Sequence, residues 1–341
     1  TPVISSAASD VYKRQKLTSL MFKIYRYTDS YQSLWDDFVP QANNGTLFHL
    51  RSFLSYHPYD RFLDHSLLVN KKDKLFSVFP AAEQEIDGNR YLVSHPGSSV
   101  GSFVVKENLS IADSIDLVKG LISYSKRLEF DGIRITLPPN LYQRRLSNYM
   151  DFSFLKNNFN YLKREVTSIL YLEKSLELTI QKFRPSHVRS IKKAREKGVE
   201  VRRSKDFQSF FNILERNLKI RHNVSPTHTV EELMKIHDLF PKRCNLFAAF
   251  IDDRMIAGVL NFIINPEVVL AFYISHNEEH KEKRPVNLLF YYIFEWAIKA
   301  NYKIYDFGIF TVNENPNMGL GRFKENFGAS GIFRDTIEFK F

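Results

Sequence analysis

The chain has 341 residues, of which 44% are hydrophobic and 25% charged, and a formal net charge of +10. This composition excludes a disordered chain. The single cysteine, Cys244, excludes an internal disulfide framework and fits a reducing, cytoplasmic setting. No apolar run approaches the about 20 residues of a membrane span, and the basic excess favours an anionic partner such as nucleic acid, a phosphate-bearing cofactor or an acidic membrane surface.

The amino terminus contains "SSAASDVYKRQ", Ser5 to Gln15. This is what a common transposon-based sequencing adapter encodes when translated. Residues 1–20 are therefore read as an adapter-derived segment and linker, expected to be disordered, with the natural start at Met21. The stretch lacks the apolar segment of a signal peptide. Setting it aside leaves the basic character intact.

An internal repeat organises the rest. Residues 66–95, "SLLVNKKDKLFSVFPAAEQEIDGNRYLVSH", align without gaps on residues 247–276, "FAAFIDDRMIAGVLNFIINPEVVLAFYISH". Each copy predicts a strand, a charged turn, a second strand, another turn and a third strand ending in Ser-His. A helix is expected after each meander. In the first copy it carries Ile111, Ile115, Val118 and Ile122 at helical spacing; in the second it opens at Pro285. A further strand closes each unit, "FDGIRITLP" and "YKIYDFGIF". The expected fold class is α/β (α+β): two tandem domains, residues 21–172 and 173–341, each a mixed, largely antiparallel sheet flanked by helices.

A basic connecting helix is expected over residues 179–198, with Val188, Ile191 and Ala194 on its inner face and Gly198 at its end. Its outer face, with Arg189, Lys192, Lys193, Arg195 and Lys197, is either solvated or holds a polyanion. His276-Asn-Glu-Glu-His280 fits the H-x-x-E-H zinc-peptidase signature. That chemistry needs both histidines on one helix face, whereas His276 is expected at a strand end and Pro285 follows closely, so no metal site is expected. Near the carboxyl end, "GRFKENFG" (Gly321–Gly328) reads as a basic turn whose Phe323 and Phe327 anchor it and aim Arg322 and Lys324 outward.

A meander, a helix and a strand in that order resemble the acyl-CoA-binding half of the GNAT acyltransferase fold. Two such units in tandem resemble the FemAB-type aminoacyl transferases. The residues that carry the likeness are "HVRSIKKAREKGVEV", "YDFG" (Tyr305–Gly308) and "GRFKENFG", over about Phe22 to Phe341. The resemblance implies an acyltransferase with no permanently bound cofactor. Its donor substrate would be acyl-CoA or aminoacyl-tRNA, and its acceptor an amine-bearing small molecule or a bacterial cell-envelope precursor. No obligatory protein partner is evident. The donor is expected against the second unit, at the amino end of the helix that Pro285 opens, where helix N–H groups suit an anion. The implied donor-binding residues are Arg284, Val286, Asn287 and Arg322, and the acceptor-side residues Ser94, His95, Tyr142 and Tyr305. Lys324 is the first catalytic candidate, because acyl transfer needs a cation or N–H donors at the developing oxyanion. Asp306 and His276 are the further candidates. The family's donor loop has glycines where this chain has Asn287 and Leu289, which would hold the backbone further from a pyrophosphate. The alternative reading is therefore a non-catalytic binding protein for RNA or a nucleotide conjugate.

Overall fold

The computed structural model describes residues 22–222 and 224–341. Residues 1–20 and Met21, where the adapter-derived segment, the linker and the natural start are expected, lie outside the described residues. The chain divides into two compact units, Thr1–Lys163 with Asp335–Phe341, and Arg164–Arg334. Residues 164–172, expected in the first domain, thus belong to the second unit, and the last residues, expected in the second, belong to the first. The reason for the latter is backbone pairing: Thr336 to Lys340 run antiparallel to Thr136 to Gly132.

In the first unit, β1 (Phe22–Arg26) is followed by α1 (Gln32–Phe38) and α2 (Arg51–Leu54). Then come β2 (Leu63–Asp64), β3 (Leu67–Lys71), β4 (Lys74–Phe79), β5 (Ala82–Ile86), β6 (Asn89–Ser94), α3 (Ile111–Arg127), β7 (Gly132–Thr136) and α4 (Tyr149–Lys156). The first repeat copy is therefore four strands rather than the expected three. Pro80, which has no N–H for a ladder, divides the second strand. β4 stays in a sheet with β1 and β3, while β5 joins β2, β6 and β7 in another. Helix α3 forms as expected, capped by Ser110, whose side chain accepts from the Asp113 N–H. Its buried stripe is Leu117, Val118, Leu121 and Tyr124, and Ile111 is exposed. These residues pack on Leu67, Phe79, Phe103, Ile133 and Phe154 to form the core of this unit.

Strand β8 (Asn160–Tyr171) leads into the second unit, whose helices are α5 (Leu176–Ile180), α6 (Pro185–Glu196), α7 (Phe207–His222) and α8 (Val230–Leu239), with β9 (Glu200–Ser204) between α6 and α7. The single connecting helix expected over 179–198 is thus two helices, because Pro185 starts a new one. On α6 the inner residues are His187, Ile191 and Ala194, and Val188 is exposed. The helix ends before Gly198, whose φ of +72° is as expected for a terminator. The second copy then follows as three strands: β10 (Cys244–Ile251), β11 (Arg254–Ile263) and β12 (Val268–His276). Helix α9 (Pro285–Lys299) and β13 (Ile304–Ile309) complete the copy. The short strands β14 (Thr311–Val312) and β15 (Asn315–Pro316), helix α10 (Met318–Glu325) and β16 (Ser330–Lys340) finish the chain. The basic turn expected over Gly321–Gly328 is mostly helix.

The two copies share one detail that pattern alone could not confirm. Both first hairpins close on a two-residue turn with positive φ at each position, Lys72 and Asp73 in one and Asp252 and Asp253 in the other. Such primed turns match the twist of antiparallel strands. Each hairpin also has a bulge before its turn.

The core of the second unit is aromatic. Phe290 and Phe294 of α9 meet Tyr305, Phe307 and Phe327, with ring centroids 5.0–5.9 Å apart. Truncating Phe290 to Ala removes the ring that touches all the others, so the unit should lose about 3–5 kcal/mol of stability. Urea unfolding followed by circular dichroism measures this as a lowered midpoint.

Candidate functional site

The site begins with two parallel strands that part. β12 pairs with β13 only at Val268–Ile304, Val269–Tyr305 and Leu270–Asp306. On its other side it stays paired with β11 out to His276. Three groups hold the end of β13 in its own course. The fully buried Asp306 carboxylate accepts from the Thr167 hydroxyl and, at 2.7 Å, from the Gly308 N–H. Gly308 has φ +76°, a backbone state that glycine adopts without a Cβ penalty. Lys324 Nζ donates to the carbonyls of Gly308 (2.7 Å) and Ile309 (2.8 Å), neither of which β12 pairs.

Beside the freed end of β12 lies a cleft of about 720 Å³, within the range of small-molecule sites. The end of β12 (Ile274, Ser275, His276), the start of α9, one face of α7 and the first turn of α10 line it. Arg284, immediately before α9, has a left-handed backbone (φ 57°, ψ 40°) and Pro285 takes the first helical position. The amino end of a fifteen-residue helix, with its positive dipole end, therefore borders the cleft.

The residues expected from the sequence fall into separate groups. His276, Arg284, Val286 and Asn287 line this cleft together. Arg322 is exposed on α10 and is not among the lining residues. Lys324 does not point outward as expected. It is 1% exposed, because its ammonium is drawn under the helix by two carbonyls that need a donor. Tyr305 is no surface contact: it is fully buried among Phe290, Phe294 and Phe307, its hydroxyl donates to Asn261 Oδ1 at 2.6 Å, and burial pushes its phenol well above the usual range. In the first unit Ser94 is buried, donating to the Pro80 carbonyl (2.6 Å) and accepting from the Ser102 N–H (2.8 Å). His95 accepts from the Gly97 N–H through Nδ1 (3.0 Å), and burial pushes it down to about 3. Tyr142 is 1% exposed. None of these three faces solvent as an acceptor contact would, because each is enclosed by the packing of its own unit.

His276 ends a strand and His280 lies in a 3-10 segment, Glu278–Lys283. The helix face that H-x-x-E-H zinc chemistry needs is therefore not formed. Among the described residues no three metal-binding side chains cluster.

Sequence reasoning missed the contribution of α7. Leu214, Asn217 and Leu218 reach the cleft from it, as do Asn317, Gly319 and Leu320 from the start of α10. A signal for Asn217 was present: Phe210, Leu214 and Asn217 recur at helical spacing, so a polar residue stands in an apolar stripe.

Comparison with solved structures identifies the architecture. FemX superimposes with a TM-score of 0.71 at 13% identity, over 94% of this chain and 97% of its own. L-PGS from Bacillus licheniformis gives a TM-score of 0.59 at 10% identity, covering 92% of each chain. A tandem GNAT protein from the clavulanic acid biosynthesis pathway gives 0.54 at 9% identity, over 94% of this chain and 98% of its own. These likenesses fix the fold. No curated protein matches the sequence. Residues 181–325 match the family model described as an acetyltransferase (GNAT) domain. The chain therefore has the fold of tandem GNAT proteins. In the GNAT frame, the parted strands and the amino end of α9 belong to the matched domain. Among the described residues, no helix is long and apolar enough to cross a membrane.

The electrostatics of Lys324 have a measurable consequence for the stability of this unit. Burial lowers its pKa to about 8, with Asp306 opposing the shift and Arg334 adding to it. Between about 8 and 10.5 the unfolded chain holds a proton at this lysine that the folded chain has released. The Lys324 contribution to stability therefore rises with pH across that window. In Lys324→Met this rise should vanish, which urea midpoints measured at intervals from pH 7.5 to 10.5 would reveal as a flatter profile than that of the parent.

Proposed function

We propose that this protein is an acyltransferase that moves an acyl or aminoacyl group from a CoA thioester or an aminoacyl-tRNA to an amine. The acceptor would be a small molecule or a cell-envelope precursor. The observation that carries the reading is the cleft between the end of β12, where β13 no longer pairs it, and the amino end of α9, in which a donor's phosphates and its acyl end have complementary surroundings. Arg284 and the first turn of α9 would meet the anionic part of the donor. The acceptor nitrogen would attack the acyl carbonyl, forming the C–N bond. The C–S or C–O bond to the donor then breaks and the proton of the amine passes to a base or to solvent.

Lys324 has three N–H donors when protonated, two of them spent on Gly308 and Ile309. In this proposal it supplies positive charge at the root of the parted strands, where an oxyanion would develop. His276, on the cleft wall, is the proposed base for the amine proton. The tandem GNAT protein of the clavulanic acid pathway is described with respect to AcCoA, which supports an acyl-CoA donor.

One observation favours the second reading, a binding protein for RNA or a nucleotide conjugate: Arg284 holds the left-handed position before α9, and residues 277–299 contain no glycine to let a pyrophosphate approach that backbone. Thermal stabilisation by acetyl-CoA, a longer acyl-CoA and an aminoacyl-tRNA separates the two. At a ligand concentration about 100 times Kd, the donor should add about 2.7 kcal/mol to stability. Arg284→Glu should abolish the shift. With the responding donor, Lys324→Met should lower kcat by about 100-fold or more. If no donor stabilises the protein, the enzyme reading fails.

A further inference from the structure

Two asparagines in the cleft leave complementary atoms unused. Asn217 on α7 is 9% exposed, and its Nδ2 donates to Ser275 Oγ (3.1 Å) and to the His276 carbonyl (3.3 Å). A carbonyl can only accept, so the orientation of this amide is set and Oδ1 is left over; it is buried and has no partner. Asn287, in the first turn of α9 and 6% exposed, leaves a buried Nδ2 without a partner. Buried amide atoms are almost always paired, and an orphan costs stability until something meets it. Here one orphan acceptor and one orphan donor belong to residues that line the same cleft, between the apolar side chains of Leu214, Leu218, Ile274 and Val286.

The complement of that pair is a group that offers one N–H and one C=O, flanked by carbon chain. We propose that Asn217 and Asn287 form a receptor for a secondary amide of the bound ligand. Asn217 Oδ1 accepts from the amide N–H and Asn287 Nδ2 donates to the amide carbonyl. The inference rests on reading this cleft as the donor cleft. The pantetheine arm of a CoA thioester has such amides, and the peptide bond of an acceptor has the same chemistry. The ester that joins an amino acid to a tRNA has no amide N–H, so the pair discriminates between the donor classes.

Calorimetric titration of the full chain tests this with three probes: CoA, adenosine 3′,5′-bisphosphate, which keeps phosphates but has no amide, and a blocked dipeptide. The variants are Asn217→Leu and Asn287→Leu, neither of which changes the charge of the cleft. CoA should bind about tenfold more weakly to each variant, with adenosine 3′,5′-bisphosphate unaffected. The unliganded Asn287→Leu protein should melt no lower than the parent, since it loses an unpaired group. A fall confined to the blocked dipeptide upholds the receptor and assigns its occupant to the acceptor. Equal weakening of CoA and adenosine 3′,5′-bisphosphate, or no weakening of either amide-bearing probe, overturns it. Acyl transfer by the parent at an unchanged rate in the variants would overturn the receptor alone and leave the acyltransferase reading standing. A parent that binds neither CoA nor the dipeptide overturns it as well.

Discussion

The clamp on β13 is the constraint from which the rest of the site follows. Asp306 takes hydrogen bonds from Thr167 and from the backbone of Gly308, and Lys324 caps the carbonyls of Gly308 and Ile309. A parallel ladder that stops early leaves polar backbone that must be satisfied somewhere. This clamp, with the pairing of β13 to β8, satisfies the backbone of β13 where β12 no longer meets it. The buried lysine is costly to keep charged, which its depressed pKa records. Its partners are carbonyls rather than a single carboxylate, so it serves the backbone first and any chemistry second.

The first unit makes the contrast plain. There the parallel pair β6–β7 remains in register from Tyr91–Gly132 to Ser94–Ile135, at the end of β6. The Ser-His pair that ends this copy is enclosed. Ser94 binds the Pro80 carbonyl and the Ser102 N–H, and the Gly101 N–H donates to the Thr136 carbonyl just beyond. The equivalent pair in the second unit, Ser275 and His276, lines an open cleft. Duplicated sequence has given one closed and one open version of the same supersecondary unit. The distinction rests on where a strand ladder stops.

Much of the fold was legible because it rests on local rules. Alternating apolar residues, Pro285 at a helix start, Gly198 beyond a helix end and primed turns at equivalent places each have a mechanism that acts over a few residues. Of the candidate site, the grouping of His276, Arg284, Val286 and Asn287 along one cleft was legible, since all lie around one strand-to-helix junction. Burial was not legible. Ser94, His95, Tyr142 and Tyr305 are polar or amphipathic residues in motif-like places, and whether such residues face a cleft or a core depends on tertiary packing. Asn217 was overlooked for the converse reason, being a helix residue that meets the cleft only through tertiary packing.

The sequence by itself determined the duplicated strand and helix order, the helix that begins at Pro285 and the basic character, because periodicity, turn chemistry and charge are properties of short segments. Only the tertiary structure decided that Pro80 divides one meander between two sheets, that Asp335–Phe341 returns to the first unit, and that Lys324 faces inward. Each of these is settled by which backbone groups find partners beyond their own element, from 15 residues away for Lys324 to 200 for Thr336 and Thr136, and hydrogen-bond satisfaction of that kind has no local signature.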